Sequence, residues 1–106
     1  MSERHLYEIL VPRSWADNDE IDVEYHRLWD EKIRGISGGL TVMHPAKGQW
    51  VHQGKLHAEE MIPCRILATR EEMDKIVDVT LAHYYDQKCV LAYRLSTEVI
   101  ERYRSV

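Results

Sequence analysis

The chain has 106 residues, of which 44% are apolar and 30% charged, with a formal net charge of −4 at pH 7. That composition excludes a disordered polymer and fits one domain spanning residues 1–106. The acidic balance argues against nucleic acid as a partner, because non-specific affinity comes from phosphate neutralisation, and no apolar run approaches the ~20 residues that cross a bilayer, so no membrane partner is expected.

His5 to Val11 is a short apolar run ended by Pro12, which predicts a strand. Tyr25, Leu28, Trp29, Ile33 and Ile36 then recur at helical spacing, preceded by Asp19, Glu20 and Asp22 and followed by Gly38-Gly39. The spacing predicts an amphipathic helix over 20–36, with the glycines ending it. Leu40 to His44 and Gln49 to His52 read as short strands, and the intervening Pro45 to Gly48 reads as a bulge or hairpin. Glu59 to Ala68 predicts a longer strand, with Ile62, Cys64, Ile66 and Ala68 on one face and Met61, Arg65 and Leu67 on the other. Thr69-Arg70-Glu71-Glu72 is a capping box. It opens a helix whose apolar stripe is Met73, Ile76, Val77, Thr80, Leu81 and Tyr84. Lys88 to Leu95 completes the set as a last core strand.

The order is β-α-β-β-α-β, an α+β plan in which two helices cover one face of a four-stranded antiparallel sheet. The other face must meet solvent or a partner. Met61, Leu67, Tyr7, Val11 and Tyr93 are candidates for it, although a one-residue slip of register reverses each assignment. An apolar second face favours a homo-oligomer.

Several familiar chemistries find no motif. There is no glycine-rich phosphate loop, so no nucleotide cofactor is implied. His44, His52 and His57 cluster near the central turns, but no zinc-binding spacing accompanies them, and no metal is expected. Cys64 and Cys89 both lie in apolar runs and read as buried free thiols in a reducing cytoplasm. Glu59-Glu60 is more pointed. By alternation Glu60 shares the side of Ile62, Cys64 and Ile66, where it either escapes into water or sits partly desolvated and suited to proton transfer. Gln49 and Trp50 occupy the short strand nearby. The Trp50 ring suits either a pocket wall or a cap on a small core. Tyr85 lies off the stripe of the second helix and is free to reach a neighbour.

Two resemblances rest on these segments. Gly38-Gly39-Leu40-Thr41-Val42, then Gly48-Gln49-Trp50, then Gln87 and Val90, resemble a family of small phage and bacterial βαββαβ proteins with no assigned chemistry. Ala82 through Arg94, together with Glu59-Glu60 before Met61 to Ile66, is similar to the phage S-adenosylmethionine lyases. That second resemblance implies a ferredoxin-like, PII-like fold, a trimer and a pocket between subunits. It implies Glu60 as the catalytic carboxylate, with Trp50, Glu59, Gln49 and Tyr85 around a small-molecule substrate. The tyrosine of that family's site has no counterpart here; Trp50, the nearest residue, lacks a hydroxyl. The implied reaction cleaves S-adenosylmethionine to 5′-methylthioadenosine and homoserine lactone. The alternatives are a non-catalytic oligomer that binds a nucleotide-like ligand and a protein-interaction domain.

Overall fold

The computed structural model describes residues 3–104. In chain order the elements are β1 (His5–Pro12), α1 (Val23–Ser37), β2 (Thr41–Val42), β3 (Ala46–His52), β4 (Lys55–Ala68), α2 (Arg70–His83) and β5 (Leu91–Ser96). One antiparallel sheet runs β2-β4-β1-β5, and β3 also pairs with β4.

The βαββαβ plan holds once β2 and β3 are seen as one interrupted edge strand. Val42 pairs with Cys64 and Ala46 with Met61, so three residues (43–45) face two (62–63). The surplus residue is a bulge, and it falls opposite Pro63. Proline has no N–H for the ladder, but its carbonyl still accepts from the Met43 amide at 2.9 Å. The hairpin lies further on, between β3 and β4, where Gln53 and Gly54 both take positive φ. Two consecutive left-handed residues make the tight turn whose twist suits a hairpin.

Both helices begin on side-chain caps. Asp22 accepts from the Glu24 amide, which starts α1 three residues later than the acidic run predicts. Gly38, at φ 94°, ends it. The Thr69–Glu72 capping box forms in full, at 3.1 Å and 2.8 Å.

The β1–β4 register joins Tyr7 to Ile66, Ile9 to Cys64 and Val11 to Ile62. Tyr7, Ile9 and Val11 therefore face the helices and are buried with Trp29, Ile33, Met73, Ile76 and Tyr84. This corrects the sequence expectation for Tyr7 and Val11: the slip in register moves both to the core side. Leu6, Glu8 and Leu10 take the helix-free face, with Leu67, Met61 and Tyr93. Leu28 and Leu81 lie at the margins of their helical stripes and are exposed. Cys64 is buried, and burial pushes its thiol up to about 12. Cys89, by contrast, is exposed, because β5 begins only at Leu91 and leaves it in the preceding loop.

At ~3.3 Å per residue, the fourteen residues of β4 run roughly 46 Å. Only its second half pairs with β1; the first half pairs with β3 alone and projects as a two-stranded arm. The chain is accordingly 53 × 30 × 23 Å.

Candidate functional site

The arm carries four of the five site residues read from the sequence, and its register sorts them. Gly48 faces Glu59, Gln49 faces Ala58, and Trp50 faces His57. Directly opposed residues share a face, and alternate residues along a strand do too. Trp50, His57 and Glu59 therefore lie on one face, continuous with Met61 and the helix-free side of the sheet. Gln49 and Glu60 lie on the other. The structure thus separates Glu60 from Trp50, and it is Glu59 that shares the aromatic face.

The Trp50 and His57 rings stack at 5.5 Å and 12°, with His52 a further 6.5 Å from His57. The result is a flat, half-exposed aromatic platform, since Trp50 keeps 45% of its surface. Glu59 stands diagonally from Trp50, a relation that spans roughly 7–8 Å in antiparallel ladders. Partial desolvation, and then the nearby Asp86 carboxylate, raise the Glu59 carboxyl above the usual range.

Glu60 is engaged differently. Its carboxylate takes a charge-assisted hydrogen bond from Arg13, and its carbonyl accepts from the Arg13 amide at 3.3 Å. Arg13 also lies 4.0 Å from Glu20. The pair clips the base of the arm to the end of β1.

Tyr85 lies off the arm, in the loop after α2. Its ring sits 4.9 Å from Trp15, and the next residue, Asp86, accepts from the Ala16 amide at 2.7 Å. Through Asp86 this loop acts on Glu59, so the structure links Tyr85's segment to the arm without bringing the tyrosine itself onto the aromatic platform.

A second polar group went unread in the sequence. Glu8 is buried on the helix-free face, accepting from Arg65 Nε at 3.2 Å and from the Tyr93 hydroxyl. The hydrogen bond to Glu8, followed by burial, raises the Tyr93 phenol. A charged residue inside the apolar run His5 to Val11 was its sequence signal. Among the described residues no three His, Cys, Asp or Glu side chains converge as metal ligands. A large open cleft, about 930 Å³, lies at the far end of the sheet beside Gly38, Gly39, Arg65 and Tyr103, away from Trp50.

This geometry belongs to the ferredoxin-like class in its PII-like form, and solved structures bear that out. A phage S-adenosylmethionine lyase in complex with S-methyl-5′-thioadenosine matches with a TM-score of 0.67 and 13% identity, over 96% of this chain and 88% of that one. The divalent cation tolerance protein CutA1 from Thermus thermophilus matches at 0.64 and 13%, over 94% and 87%. The periplasmic divalent cation tolerance protein CutA from Archaeoglobus fulgidus matches at 0.60 and 16%, over 95% and 87%. No family model and no curated protein matches the chain. Among the described residues no helix is long and apolar enough to cross a membrane.

Proposed function

We propose that the protein is a homo-oligomer, a trimer, that binds S-adenosylmethionine between subunits and cleaves it to 5′-methylthioadenosine and homoserine lactone. The observation that carries this reading is the arm register, which sets the Trp50–His57 stack and the Glu59 carboxylate on one face. A sulfonium ligand suits both parts. The indole face attracts the cationic sulfur, and the carboxylate holds the methionyl ammonium. The reaction is internal to the substrate. The methionyl carboxylate attacks its own Cγ, the Cγ–S bond breaks, and the electron pair leaves with the thioether. No proton or co-reactant is needed, so the protein's task is to hold the folded-back conformer.

A two-stranded arm open on both faces offers half a pocket, and a neighbouring copy supplies the other half. A contact between the β3 edge of one copy and the β5 edge of the next would be head-to-tail and able to close into a ring. Two free thiols fit the reducing cytoplasm. The test is incubation with S-adenosylmethionine followed by mass spectrometry. Turnover that falls at least 100-fold in Glu59→Gln supports the assignment, and substrate left unchanged at high protein concentration overturns the lyase reading.

A second reading, ligand binding without turnover, is favoured by Trp50 itself, which offers no hydroxyl where the resembling enzymes use a tyrosine. A thermal shift with S-adenosylmethionine or a nucleoside but no product would select it.

A further inference from the structure

The seam between α1 and α2 holds two histidines that the arm site does not use. His83 is buried at the end of α2, stacked on the Tyr25 ring at 4.1 Å. Its Nε2 donates to the Tyr25 carbonyl at 2.7 Å, which leaves Nδ1 bare. The Lys32 ammonium donates to that Nδ1 at 3.4 Å. The Tyr25 hydroxyl closes the loop by donating to the His83 carbonyl. One residue further along each segment, His26 Nδ1 lies 2.7 Å from the hydroxyl of fully buried Tyr84. Burial keeps that phenol neutral, so its hydroxyl can either donate to Nδ1 or accept from it.

His83 is thus wired as an uncharged ring. A proton on His83 Nδ1 would abolish the acceptor and set two cations 3.4 Å apart. The surroundings agree. Burial lowers His83, the bond to the Tyr25 carbonyl opposes this, and Lys32 adds to it. Burial also lowers His26, with His83 adding to it and Asp30 and Glu20 pulling the other way. Asp30 is itself raised by burial, against Arg34, His26 and Arg27. Toward the sheet, Tyr84 faces Cys64, whose thiol is neutral.

The seam also anchors the loop that reaches the arm. Trp15 packs on Tyr25 at 5.1 Å and on Tyr85 at 4.9 Å, and Asp86 follows directly. We propose that the α1–α2 seam is an acid-opened clasp, in which protonation of His83 sets it against Lys32 and, with protonation of His26 beside Tyr84, frees the Tyr84–Asp86 segment from Trp15 and Tyr25. This goes beyond the ligand reading and holds whether or not the arm binds S-adenosylmethionine.

The test follows the two histidine rings and the Trp15 and Trp29 indole N–H signals by NMR from about pH 7.5 to 4.5, a span that brackets the ordinary histidine value of about 6.5. The expected result is that both rings titrate below that ordinary value and that the Trp15 signal shifts in the same step. The double variant His26→Asn, His83→Gln keeps a hydrogen-bond partner for Tyr84 and the donor to Tyr25 without a titrating nitrogen. It is expected to keep the neutral spectrum and lose the step. Histidines that titrate at or above the ordinary value, or a Trp15 step that persists in the double variant, overturn the proposal. Should the double variant not fold, the unaltered protein decides: a Trp15 signal that does not follow the histidines is equally fatal.

Discussion

Trp29 and Thr80 illustrate how single side chains fix the helix pair. The buried indole N–H donates to the Thr80 hydroxyl at 2.9 Å, and that hydroxyl donates onward to the Ile76 carbonyl at 2.6 Å. No polar atom in the pair is left unmet, so a threonine serves in an apolar stripe at little cost. Glu59 is the opposite case. Its folded carboxyl is raised above the unfolded value, so its contribution is present below the unfolded value of about 4.5 and is lost as pH rises through the folded one. At neutral pH the ionised side chain therefore weakens the fold. Glu59→Gln is expected to melt above the unaltered chain at pH 7, with the gap closing below about pH 4.5; equal melting temperatures at both pH values would contradict this. The carboxylate pair was legible in the sequence because strand alternation sets one of the two on the apolar side. The choice between Glu59 and Glu60 was not, since it depends on Arg13, some fifty residues away in sequence.

At the scale of elements, local chemistry and long-range pairing were unequally readable. The capping box before α2 and the glycine after α1 are signals contained within a few residues, and both elements formed where those signals stand. The arm was harder. Gln53-Gly54 reads as a turn and is one, but β3 alternates no clear polar and apolar faces, so its first half read as a bulge or hairpin. The face of β1 depends on which residue of β4 it meets, and nothing within His5 to Val11 encodes that. The turn nonetheless sets the arm. Gly54 sits at φ 75°, which costs a residue bearing a Cβ roughly 1 kcal/mol or more. Gly54→Ala is thus expected to lower hydrogen-exchange protection of the β3–β4 amides several-fold while leaving β1 and α2 amides unchanged. Uniform loss across the whole chain would mean that the arm and body unfold as one unit.

The whole molecule is larger than its chain length requires. A compact domain of about 100 residues has a radius of gyration near 13 Å, whereas this chain has 15.0 Å. The excess is the arm, and the arm is not polar. Val51 and Leu56 face each other across it at 69% and 62% exposure, with Trp50 on the reverse side. A two-stranded ribbon is marginal in water by itself, and one that exposes paired apolar side chains gains by being covered. A second copy is a fitting cover, because the β5 edge also exposes Leu91, Tyr93 and Leu95. On the trimer proposed above, light scattering at micromolar concentration is expected to give three times the 12.5 kDa chain mass. Val51→Lys with Leu56→Lys should reduce this to one chain mass with unchanged helix content, since neither residue touches the core. A single-chain mass for the unaltered protein would remove the trimer and, with it, the shared pocket.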